Sequence, residues 1–213
     1  MPSYKLIYFP ARARAEPARY LFHLSGTAFE DQRIGFEDWP KFKEENTQMV
    51  MFGQMPVLVV DGKEVICQSM AITRLLAKRF GYYGESDLEA AKIDMLIDGY
   101  TEVLEAKIRP IIGAKLFLKD AEKEAAAIAA AQEPLTTFLG RYEQFLKDNG
   151  TGFLVGKKLS FADLVVAEGL DQVDTYLMPG NLTNYPLIKK LISDVMNTPK
   201  IKEYIATRPQ SPI

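Results

Sequence analysis

Tyr8 stands where the first apolar run, Tyr4 to Phe9, gives way to a basic loop. In α/β folds ligands collect beyond the carboxyl ends of strands, and a phenol hydroxyl placed there can donate a hydrogen bond to an anion. Arg12 and Arg14 flank the same point, and positive charge beside an anion favours its ionised form. Taken alone, such a tyrosine is more often a core or rim residue, and the two arginines read equally as a solvated loop.

Three further groups could meet a small charged ligand. Trp39 and Lys43 are four residues apart, so on a short helix the indole and the ammonium face one way and can share a carboxylate; packed Trp with exposed Lys is the plainer alternative. In Gln54-Met55-Pro56 the proline has no amide to give, which suits the start of a strand. A cis Met55-Pro56 bond would aim the Met55 backbone at a peptide-like ligand, paired as an added strand would be. Gln68-Ser69 precedes a helical stretch; Ser69 suits the N-cap, and the unpaired amides of a helix start attract a carboxylate.

Other residues read as structural. Ser160-Phe161-Ala162-Asp163 has the S-x-x-D spacing of a capping box. His23, inside the first helical stretch, lacks the partner pattern of a triad, and no metal-ligand spacing occurs in the chain. Cys67 is the only cysteine, which excludes an intrachain disulfide and C-x-x-C redox chemistry; in a buried strand it acts as a small hydrophobe.

These residues need elements to hold them. Tyr4 to Phe9 and Phe29 to Ile34 read as strands joined by a helix over Ala15 to Gly26, a crossover that makes the strands parallel. Pro56 to Val60 and Glu64 to Gln68 flank Asp61-Gly62, a hairpin signal. Ile72, Leu75, Leu76 and Phe80 mark the buried face of a third helix. The expected fold class is α/β plus all-α: a βαβ-ββα domain over residues 1–80, a linker at 81–87, and an all-helical domain over 88–213. Helices are expected over Leu88 to Leu118 (bent at Pro110), Ala121 to Lys147, Ser160 to Tyr176, Tyr185 to Met196 and Pro199 to Thr207.

Composition narrows the function classes. With 47% hydrophobic residues, 25% charged and a net charge of −2, nothing electrostatic calls for nucleic acid or an anionic membrane. No apolar run is long enough to span a bilayer. Arg, Glu and Pro interrupt the opening segment, so no secretory signal is read there and a cytoplasmic location is expected. The sequons at Asn149 and Asn181 then carry no weight.

Taken together, the segments YKLIYFPARARAEPARYLF, EDWPKFK, FGQMPVLVVDG, QSMAITRLLAK, FADLVVAE and RPQSPI, in this order, resemble the cytosolic glutathione transferases across essentially the whole chain. The similarity is to the sigma-like class, which includes haematopoietic prostaglandin D synthase, and within it to invertebrate and nematode members. The resemblance implies a thioredoxin-like domain joined to an all-helical domain that forms the electrophile pocket, and a homodimer. It implies that Tyr8 activates the thiol of glutathione, the co-substrate, with support from Arg14. It implies that Trp39, Lys43, Gln54, Met55, Pro56, Gln68 and Ser69 bind glutathione, with Met55-Pro56 cis. Relatives usually send an aspartate across the dimer interface to the γ-glutamyl ammonium. Here the matching position is Glu102, with Asp98 one turn earlier, so both are candidates. Phe52 lies where some classes insert an aromatic key into the partner.

Simple energetics support that role for Tyr8. A free thiol has a pKa of about 8.5, and lowering it by about two units takes roughly 2.7 kcal/mol. One hydrogen bond to a charged sulfur contributes about 1.5–3 kcal/mol. Three functions stay open at this stage: conjugation of small hydrophobic electrophiles, glutathione-dependent isomerisation of a prostaglandin endoperoxide, and non-enzymatic carriage of haem or other hydrophobic ligands.

Overall fold

The computed structural model describes residues 2–211 and 213. The chain forms two compact units, Met1–Tyr82 with Met196–Ile213, and Tyr83–Val195.

In the first unit the order is β1 (Tyr4–Tyr8), α1 (Glu16–Ser25), β2 (Glu30–Arg33), α2 (Trp39–Glu45), β3 (Val57–Val60), β4 (Glu64–Cys67) and α3 (Ser69–Phe80). The sheet runs β2-β1-β3-β4. β1 is parallel to β2, as the α1 crossover requires, and antiparallel to β3. Asp61 and Gly62 turn the β3–β4 hairpin with φ of 53° and 66°, the left-handed pair that a two-residue hairpin needs. Leu6 and Leu58 of the sheet, Leu21 and Phe22 of α1, and Ile72 and Leu76 of α3 are fully buried. They form the apolar layer that holds the helices on the sheet.

Register decides what this sheet can present. Ile7 pairs with Val57, and Val57 with Cys67. The residues just beyond these partners, Tyr8, Pro56 and Gln68, therefore emerge at one end of three adjacent strands. The last helix of the chain, α9 (Pro199–Thr207), also belongs here and packs against α1. Sequence patterning groups it with the helical half, because amphipathic spacing shows that a helix buries a face but not against what.

The second unit is helical throughout. α4 (Asp87–Val103) is capped by Ser86, whose hydroxyl accepts from the Glu89 amide at 3.2 Å. The chain continues through two widened, π-type stretches, Leu104–Ile108 and Gly113–Leu118, on either side of the short α5 (Arg109–Ile112). Sequence reading places one helix here, bent at Pro110. The path stays helical, and wider turns accommodate the missing proline amide. α6 (Ala121–Asn149) ends at Gly150 with φ 65°, and α7 (Phe161–Gln172) and α8 (Pro186–Met196) follow.

The expected capping box is present at α7. The buried Asp163 carboxylate accepts from the amides of Ser160 and Leu154, both at 2.8 Å. Its oxygens thus tie the loop before α7 to the helix start. Burial pushes its pKa up to about 6. α4 and α7 touch where the Tyr100 side chain lies over Gly169, leaving no space for a Cβ. Among the described residues no helix is long and apolar enough to cross a membrane.

Candidate active site

A cleft opens at the strand ends named above. Arg14, Gln54, Met55, Pro56, Gln68 and Ser69 line it, together with Phe52 and Cys67. Six residues singled out from the sequence thus share one small surface, drawn from the loop before α1, the start of β3 and the start of α3.

Tyr8 ends β1 and is 7% exposed. The backbone amide of Arg14 hydrogen-bonds its hydroxyl. Burial raises its pKa above the ordinary value of 10.0, and that amide and the charges of Arg14 and Arg19 pull the other way. The net rise keeps the phenol protonated at neutral pH, as a hydrogen-bond donor. The Phe9 ring lies edge-on to Tyr8 at 5.5 Å and to Trp39 at 5.7 Å, and stacks on Phe36 at 4.7 Å. Trp39 is therefore fixed through Phe9 to the Tyr8 strand end. Lys43, one turn on in α2, is exposed, and its Nζ would sit 3.1 Å from a Cβ added at Gly53. Gly53 has φ 62°, a conformation that favours glycine, and the ammonium rests beside the residue that precedes Gln54.

Met55-Pro56 is cis. Met55 is 8% exposed, and Pro56 leads directly into β3. At the far wall, α3 begins at Ser69, and the N-cap is Gln68 rather than the expected Ser69. Gln68 has φ 73° and ψ 116°, a conformation costing about 1–3 kcal/mol in a residue other than glycine. It turns the β4 end sharply into α3. The first-turn amides of α3 have no intrahelical carbonyl. Ser69, 8% exposed, sits among them.

Asp98 and Glu102 belong to the second unit. They are exposed, one turn apart on α4. Phe52, which lines the cleft, and its chain neighbour Met51 are 62% and 56% exposed.

Sequence reasoning passed over two features. Cys67 is buried as expected, yet it also lines the cleft, and its thiol donates to the Met49 carbonyl at 3.4 Å. Arg19 has no solvent exposure, and its guanidinium carbon lies 5.9 Å from the Tyr8 ring centroid. A charged side chain between Ala18 and Leu21, on the apolar stripe of α1, was the available signal. Among the described residues no group of three or more His, Cys, Asp or Glu is placed to hold a metal ion.

Comparison with known proteins gives the same outline. Residues 4–78 match the model of the glutathione S-transferase N-terminal domain, and residues 108–208 that of the C-terminal domain. Glutathione S-transferase 1 of Ascaris suum is 38% identical over 212 residues, covering 100% of both chains. A crystal structure of Na-GST-3 from the hookworm Necator americanus, described as monomeric, superposes with a TM-score of 0.86 at 37% identity over 98% of each chain. The prostaglandin D synthase of Nilaparvata lugens superposes with a TM-score of 0.85 at 31% identity, over 98% of this chain and 100% of that one.

Proposed function

This chain belongs to the glutathione S-transferase family, and we propose that in it Tyr8 holds the glutathione thiol as a thiolate for attack on small hydrophobic electrophiles. The observation that carries this reading is the Tyr8 hydroxyl: buried, at a strand end, hydrogen-bonded by the Arg14 amide and kept protonated by its raised pKa. Its proton is available to the sulfur anion, and a hydrogen bond to a charged group contributes about 1.5–3 kcal/mol. That range covers the roughly 2.7 kcal/mol needed to lower a thiol pKa by two units.

The other residues suit the rest of the tripeptide. Trp39 and Lys43 take the glycyl carboxylate, and the Met55 backbone at Pro56 pairs with the cysteinyl unit. Gln68, Ser69 and the first amides of α3 receive the γ-glutamyl carboxylate. Gln54 closes the wall beside Lys43. In this reading residues 1–80, with α9 packed on α1, are the glutathione-binding domain, and the helical unit Tyr83–Val195 supplies the binding surface for the electrophile.

A homodimer goes with this assignment, with Asp98 or Glu102 reaching the γ-glutamyl ammonium of the partner's site. The exposed pair Met51 and Phe52, the second of which lines the cleft, favours it. Sedimentation of the free protein checks it: a monomer at full activity excludes a shared site. A cytoplasmic location is proposed with the same function.

The likeness to the insect prostaglandin D synthase favours a second reading, isomerisation of a prostaglandin endoperoxide with glutathione returned unchanged. Assays with a chlorodinitrobenzene and with the endoperoxide separate the two. The decisive measurement is the pKa of the bound glutathione thiol in the wild type and in Tyr8→Phe. The variant is expected to fold and to raise that pKa, with conjugation falling about 10- to 100-fold. An identical thiol pKa in both proteins refutes the assignment.

A further inference from the structure

Glu16 opens α1 and is completely buried. Its carboxylate accepts from three groups: Arg19 Nη1 at 3.0 Å, Tyr204 Oη at 3.1 Å and Arg208 Nη1 at 2.5 Å. The last two come from α9 and the residue that follows it. An unpaired buried carboxylate is costly, so these partners are a condition of its being there at all.

Arg19 carries the connection onward. It donates to the Ala11 carbonyl at 2.6 Å and to the Phe9 carbonyl at 3.5 Å, and its Nε to Asp31 at 3.2 Å. Its guanidinium therefore grips, from inside the fold, the loop that runs from Tyr8 to Arg14. Farther along that loop the Arg12 amide donates to the Ile213 oxygen at 2.8 Å. The Tyr204 hydroxyl also accepts from Arg33 at 3.4 Å, and Arg33 is paired with Asp31 at 2.7 Å. His23 stacks on the Tyr204 ring at 4.2 Å. Arg208 further donates to the Tyr20 oxygen at 3.2 Å. No buried polar side-chain atom among the described residues lacks a partner, so the network is closed.

The loop held in this way carries the Arg14 amide that bonds the Tyr8 hydroxyl. A displacement of the loop moves that amide, and with it the direction of the phenol proton. We propose that Glu16, Arg19, Tyr204 and Arg208 are positioning residues for Tyr8: the C-terminal helix acts as a strap that sets the catalytic loop through the Glu16–Arg19 pair. The proposal rests on Tyr8 as the thiol-activating residue. It adds that an element distant in sequence, touching no substrate, tunes the thiol.

Buried charge networks also stabilise folds, so stability alone decides nothing here. The test compares Arg208→Met, Arg208→Lys, Tyr204→Phe and Tyr8→Phe. Each variant is measured for the pKa of the bound glutathione thiol, from the pH profile of kcat/KM with a chlorodinitrobenzene, and for denaturant midpoint. Arg208→Met is expected to raise the thiol pKa by about 0.5 unit, which lowers the thiolate fraction below that pKa about threefold. Arg208→Lys is expected to restore part of the shift. Tyr204→Phe, which keeps the ring and loses one hydroxyl, should move the pKa the same way by less, and it decides the matter if Arg208→Met does not fold. KM for the electrophile should not change. If Tyr8→Phe raises the thiol pKa while the α9 variants lose only stability, the strap is refuted and the role of Tyr8 stands. If Tyr8→Phe leaves the pKa unchanged, the role of Tyr8 falls, and the strap with it.

Discussion

The Tyr8 hydroxyl takes its hydrogen bond from the backbone amide of Arg14. Removing the Arg14 side chain therefore leaves that bond in place while it subtracts the guanidinium charge. Arg14→Ala is expected to reduce conjugation less than Tyr8→Phe does.

The same environment bears on the phenol itself. Burial raises the Tyr8 pKa above 10.0, against the lowering effects of the Arg14 amide and of the Arg14 and Arg19 charges. A tyrosinate absorbance titration of the free protein, with the Tyr8→Phe curve subtracted, should leave one group with its midpoint above pH 10. A midpoint below 10 would mean that the Arg14 amide and the two guanidinium charges outweigh burial at this site.

Gln68 holds a backbone conformation that glycine adopts at less cost. Gln68→Gly and Gln68→Ala both delete the amide side chain, and only the first relieves the strain. Both should weaken glutathione binding, by about tenfold if one charge-assisted hydrogen bond is lost. The glycine variant should be more stable than the alanine variant by about 1 kcal/mol. Equal stabilities would remove the case for strain at this wall of the cleft.

Asp163 couples the start of α7 to pH. Its pKa is raised by burial from the usual 3.8 to about 6, so the folded chain holds this proton more tightly than the unfolded one. Its contribution to stability is then full below about pH 4 and lost as pH rises through about 6. Asp163→Asn leaves donors of Ser160 and Leu154 poorly matched and should destabilise at every pH. The deficit should be largest near pH 4 and shrink toward pH 7 by about 2–3 kcal/mol. Denaturant unfolding of both proteins across that range measures it; a deficit that grows with pH contradicts the assignment.

Much of the site was legible because its parts are local. Tyr8 announces itself by falling at the end of an apolar run, Asp61-Gly62 by its turn chemistry, and Ser160 with Asp163 by the spacing of a capping box. What escaped depends on contacts across the chain. Glu16 looks like an ordinary helix-surface charge until Tyr204 and Arg208 are placed against it, 188 and 192 residues away. The conformation of Gln68 is likewise silent in its residue type, since neither turn propensity nor capping preference favours glutamine there. The end of α3 was readable from Gly81, whereas its start at Ser69 required the geometry.

The link between Glu16 and α9 has a consequence for the order in which the molecule can be completed. During synthesis the strands of the first unit emerge early, yet two of the three partners of the Glu16 carboxylate, Tyr204 and Arg208, are made only after all of Tyr83–Val195. Until then Arg19 alone meets the carboxylate, and the segment from Phe9 to Arg14 lacks the support that α9 gives to that pair. A nascent chain arrested before Pro199 is therefore expected to present a formed sheet without a settled catalytic loop, so that competence for glutathione arrives only with α9.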